Sequence, residues 1–111
     1  MIGLAGALAL AARERVRVRF ADLGAWGARA MLLAEYDAAE RTIGIDRQAV
    51  RRLAALGGDL AARFVTCAIL HEVHHHRDPS ASEAAARAFA FQHCGDDPSM
   101  FESLLRVRES A

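Results

Sequence analysis

Along residues 15–20, RVRVRF, arginine and apolar residues alternate strictly. Val16, Val18 and Phe20 share one face and Arg15, Arg17 and Arg19 the other, as a half-buried strand with one wet face requires. The arginine row reads as the solvated face of an edge strand, with phosphate binding the weaker alternative. A glycine-containing connection, DLGAWGA (residues 22–28), follows. RAMLLAEYD (29–37) and RTIGID (41–46) read as two more strands, and the short DAAE turn pairs them as a hairpin.

Helical signals take over after residue 46. Asp46 is placed to N-cap a helix to Leu56, stopped by Gly57 and Gly58. Asp59 is placed to cap the next helix, LAARFVTCAILHEVHHH (60–76). That segment has few polar residues before His71, so it is expected to be the central, most buried helix. Asp78-Pro79 ends it. Ser80 or Ser82 opens another helix to about Cys94, with Gly95 as its stop, and Asp97-Pro98 starts the last one. The opening MIGLAGALALAA (1–12) is too short to span a bilayer, and its arginines follow the apolar stretch rather than precede it. It is read as a short helix packed on the domain. These elements predict one α+β domain over residues 1–111, with a three-stranded N-terminal sheet packed on helices. The helix over 60–76 is central, and two helices follow it.

Composition narrows the function classes. Of 111 residues, 53% are apolar and 25% charged, which suits one compact globule. Formal net charge is zero, which argues against a nucleic-acid or membrane-surface binder. Cys67 and Cys94 lack framework spacing and read as small buried hydrophobes in a reducing, cytoplasmic setting.

Four of the five histidines fall within residues 71–76. His71, Glu72 and His75 form an HExxH pattern. Helical residues at i and i+4 lie one above the other, so His71 and His75 can offer two imidazole nitrogens to one ion. That suits Zn²⁺, with N ligands at about 2.0–2.1 Å. Glu72, about 100° around the helix, would stand beside the metal as a proton acceptor. A third ligand is needed. A metzincin would carry Gly and His at positions 78 and 81, but Asp78 and Ala81 stand there. Glu83 can fold back after the Asp78-Pro79 turn as a ligand, or can form an S-x-x-E capping box with Ser80. Glu102 is the fallback ligand. His74 and His76 are read as solvent-facing or as donors that support the ligands. His93 and Tyr36 are candidate oxyanion stabilisers by residue type alone.

The order of strand, hairpin ending TIGID, helix, RFVTCAILHEVHHH and SEAAARAFA resembles the gluzincin metallopeptidases. In particular it resembles the minigluzincins, small soluble relatives of the catalytic domains of integral-membrane zinc peptidases of the CAAX-processing and heat-shock type. The resemblance covers about residues 15–105. It implies His71, His75 and Glu83 as Zn²⁺ ligands and Glu72 as general base. The ligand segment of the membrane relatives is E-x-x-A-D-x-F-A-like. EAAARAFA keeps Glu83, Ala86, Phe89 and Ala90 but has Arg87 in place of Asp, so Arg87 joins the residues considered for support of the site. The resemblance also implies that Thr42, Ile43, Gly44 and Ile45 form a strand that binds extended substrate through its backbone. The expectation is a cytoplasmic, zinc-dependent peptidase acting on a peptide or protein, with self-association allowed. Nucleic-acid binding and stable membrane insertion are not expected. The alternatives are a zinc-binding regulatory module without turnover and a narrow-specificity regulator protease.

Overall fold

The computed structural model describes residues 1–24 and 33–110. The elements run α1 (Leu4–Arg13), β1 (Arg17–Ala21), β2 (Ala34–Asp37), β3 (Thr42–Asp46), α2 (Arg47–Leu56), α3 (Leu60–Arg77), α4 (Glu83–Cys94) and α5 (Pro98–Ser110). The expected α+β class holds, with three strands in one sheet and the HExxH helix between sheet and helices.

Strand order is β1-β3-β2. β2 and β3 form the expected antiparallel hairpin, with Tyr36 opposite Ile43 and Ala34 opposite Ile45. β1 lies parallel on the other side of β3, with Val18 opposite Ile43. Arg17 and Arg19 are exposed on this edge strand, as the alternation predicts. Phe20 departs from the pattern at 45% exposure, since no described residue covers it. Residues 25–28 of the expected connection and 29–32 of the expected second strand lie outside the described residues.

Arg15, expected in the strand, instead closes α1. Val16 N–H reaches the Ala11 carbonyl at 2.9 Å and Arg15 N–H the Ala12 carbonyl at 3.0 Å. This is a Schellman stop with Arg15 in the left-handed region, φ 58°. The Arg41 guanidinium covers the next two carbonyls, those of Glu14 (2.8 Å) and Arg15 (3.2 Å). α1 buries Ala7 and Ala11, and Ile2 N–H donates to the His93 carbonyl at 2.6 Å. The apolar opening segment is thus docked on the domain. No helix among the described residues is long and apolar enough to cross a membrane.

Asp46 joins sheet to helix. It is 1% exposed, and its carboxylate accepts from Ala49 N–H at 3.0 Å and Leu23 N–H at 3.1 Å. The first bond caps α2, and the second anchors the chain leaving β1. Asp46→Ala is expected to cost about 2 kcal/mol in urea unfolding, because the cap is lost and Leu23 N–H loses its acceptor. Asp46→Asn, which can still cap, is expected to cost less.

α3 is buried without a break from Phe64 to Val73 and packs against α1, α2, α4, α5 and two strands. Such a stretch, buried all round, is the mark of a core helix. Asp59 sits at its N-cap position, but the side chain makes no cap bond. Its carboxylate lies instead 3.5 Å from Arg63, which also pairs with Asp96 at 2.7 Å.

Candidate metal centre

Local chemistry at the α3–α4 turn sets up the site. Asp78 N–H bonds the His74 carbonyl at 2.9 Å, and the Asp78 carboxylate accepts from Ser80 N–H (3.1 Å) and hydroxyl (2.7 Å). Ser80 is thereby committed to the turn. Ser82 caps α4 by accepting from Ala85 N–H at 3.1 Å, so Glu83 becomes the first helical residue. The capping box between Ser80 and Glu83 does not form, and the Glu83 carboxylate points elsewhere. α4 then runs back along α3, bringing Glu83 onto the histidine pair.

Glu83 Oε2 lies 3.1 Å from His71 Nε2, and Glu83 Oε1 lies 2.8 Å from His75 Nε2. One ligand atom from each of the three residues lies within 4.8 Å of the others, so they form a group that could hold a metal ion. Ligands at about 2.0–2.1 Å in a tetrahedron sit about 3.3 Å apart, so small side-chain movements suffice.

Whether a cation suits the site can be judged from the donor atoms. His75 Nε2 is buried without a hydrogen-bond partner, although Glu83 Oε1 lies 2.8 Å away. A ring nitrogen left in that state costs free energy that a cation would recover. Burial foremost holds the His71 imidazole below its ordinary pKa, against the pull of Glu83, which favours the neutral, ligating form. The donor set therefore fits a metal ion. One feature is weaker. His71 Nδ1 is also buried without a partner, whereas ligating imidazoles usually donate their second N–H to an acceptor.

Glu72 is 7% exposed, with Oε1 3.9 Å from His71 Nε2. Its carboxyl is pushed up to about 7, chiefly by burial and then by the charges of Glu83 and Glu35. A cation at the three-residue group would pull it back down. Glu72, His71 and Glu83 border a cavity of about 200 Å³ whose apolar wall includes Leu33, Ala34, Phe64 and Phe101.

The other candidates divide. His74 stacks on Phe89 at 4.9 Å between ring centres, and His93 stacks on the same ring at 4.5 Å. His76 Nδ1 meets the Tyr36 hydroxyl at 2.7 Å. None of His74, His76, His93 and Tyr36 lines the cavity, and the oxyanion role considered for His93 and Tyr36 finds no support in this placement. Glu102 lines the cavity but is held by Arg106 at 2.7 Å and is outside the ligand group. Arg87 does line it.

The substrate-strand expectation for Thr42, Ile43, Gly44 and Ile45 is corrected. β3 is the central strand, paired along both edges, so its backbone has no edge to offer a peptide. The strand beside the cavity is β2, which supplies Ala34 to the wall and pairs on one side only among the described residues. The hairpin was visible in the sequence, but which side of it β1 joins was not. Searched against protein-family models, curated proteins and solved structures, the chain matches none of them, so the gluzincin resemblance rests on its own residues.

Proposed function

We propose that this chain is a zinc-dependent peptidase of the gluzincin type. The observation that carries the reading is the meeting of His71, His75 and Glu83 at one point beside the buried Glu72. A bound Zn²⁺ would supply Lewis acidity, polarising a scissile carbonyl and acidifying water. His71, His75 and Glu83 would hold it. Glu72 takes the proton from the attacking water and returns it to the leaving amine, and its burial raises its affinity for that proton. The cavity takes a substrate side chain, and the outer edge of β2 is the backbone track nearest the site.

The test is cleavage of an unfolded protein by the zinc-loaded chain. Cleavage is expected to stop on chelation and to return when zinc is restored. No zinc-dependent cleavage of any unfolded protein would overturn the peptidase reading. A second reading, a zinc-binding module without turnover, is favoured by the unpartnered His71 Nδ1, which leaves that ligand less firmly oriented. Full zinc occupancy without cleavage would select it.

A further inference from the structure

The cavity beside the metal group is lined by a guanidinium that makes no hydrogen bond or ion pair among the described residues. Arg87 follows Glu83 by one turn of α4 and lines the cavity with His71, Glu72 and Glu83. The other ionic walls are committed. Glu83 faces the two histidines, and Glu102 pairs with Arg106 at 2.7 Å. Asp97 is near enough to feel the charge of Arg87, but its carboxylate accepts from Ser99 N–H at 3.0 Å. No hydrogen bond or ion pair joins Arg87 to any described residue.

Charge and size define what this arrangement can take. Glu72 and Glu83 together offset a divalent ion, which leaves the Arg87 guanidinium facing the loaded cavity. A guanidinium at the edge of an apolar cavity binds a carboxylate in a paired, directional way. Apart from Ser99 the remaining wall is apolar and includes Leu33, Ala34, Phe64, Ala68 and Phe101. At about 200 Å³ the cavity is smaller than the roughly 300–1,000 Å³ of small-molecule sites, and fits one amino-acid side chain.

We infer that Arg87 is a specificity-determining residue that selects substrates bearing a carboxylate next to an apolar side chain. This rests on the zinc-peptidase reading and narrows it. The carboxylate has two sources, the free C-terminus of a peptide or an acidic residue following the apolar one. In the first case the chain trims C-termini. In the second it cuts on the N-terminal side of an apolar residue that an acidic one follows.

Binding of zinc-directed thiols tests this without turnover. The probes are mercaptoacetyl-leucine, its amide, and mercaptoacetyl-leucyl-aspartic α-amide, whose side-chain carboxylate is free, titrated by calorimetry into the zinc-loaded chain. Wild type is expected to bind at least one carboxylate probe about tenfold or more tighter than the neutral amide. The tighter of the two identifies the carboxylate source. Arg87→Gln is expected to erase the preference and leave amide binding unchanged, while Arg87→Lys retains part of it. Arg87 is exposed, so neither variant should disturb the core. Zinc-dependent binding of all three probes with equal affinity, or a preference that survives in Arg87→Gln, overturns this inference alone. Absence of zinc-dependent binding by every probe overturns the metal-site reading and the inference with it.

Discussion

Glu72→Gln is expected to keep its zinc, lose about 10²–10⁴-fold in kcat, and make the metal-free chain more stable. The first two effects follow from the proposed role. Glutamine has nearly the shape of glutamate but cannot take a proton, and it is not one of the three ligand residues. The third effect is physical and independent of turnover. Glu72 is 7% exposed, and its carboxyl rises from 4.5 in the unfolded reference to about 7 in the fold. Below about pH 4.5 both states hold the proton, and the residue costs nothing. As pH rises toward 7 the unfolded chain releases the proton while the folded chain retains it, so stability falls. Above about pH 7 the penalty is complete, at about 3 kcal/mol. Urea unfolding of the metal-free proteins should therefore show Glu72→Gln more stable near pH 8, with the difference vanishing as pH falls below 4.5. A group that destabilises the apoprotein and is needed for turnover is what a reactive site requires of its base. Activity within a few-fold of wild type would remove Glu72 from the proton-transfer role. A stability difference that does not change with pH would show that its burial does not hold the proton.

The parts legible in advance are those governed by neighbours in sequence. Asp46, Ser82, Gly95 and Pro98 act within one helical turn, and each helix boundary they signal lies where expected. The i,i+4 spacing of His71 and His75 is likewise a property of one helix. What was not legible depends on partners far along the chain. Helical rotation puts His74 and His76 on faces other than that of the ligands. Only the packing shows that the first meets Phe89 of α4 and the second Tyr36 of β2. β1 pairs parallel to β3 across more than twenty residues, and no local signal reports that choice. Reading β3 as the peptide-binding strand failed for this reason. Arg87 stood out in the sequence as a departure from the resembled pattern, but its place in the cavity wall depends on how α4 sits on α3.

Glu83→Ala is expected to weaken zinc binding by at least about 100-fold, since loss of a residue that merely supports a ligand already costs about 10–100-fold. The effect should be readable without confounding from misfolding. The Glu83 side chain is 68% exposed at the first position of α4, where Ser82 supplies the cap and Gly95 the stop. Truncation to alanine removes its 3.1 Å bond to His71, and it also removes a negative charge near the buried Glu72. These two effects oppose each other, so metal-free stability should change little. With zinc the two proteins diverge. Zinc at about a thousand times its dissociation constant stabilises wild type by about 4 kcal/mol, and the same zinc concentration stabilises the variant by about 1.4 kcal/mol or less. Glu102→Ala is the control, because that carboxylate lines the same cavity but is held by Arg106. It is expected to leave zinc affinity unchanged. Competition with a chromophoric chelator gives the affinities, and thermal melts with and without zinc give the linked stability. Equal zinc affinity in Glu83→Ala and wild type would leave the histidine pair as a two-ligand site and would remove the carboxylate that makes it gluzincin-like. A larger loss in Glu102→Ala than in Glu83→Ala would move the third ligand to α5, and with it the face of the cavity from which a substrate carbonyl must approach.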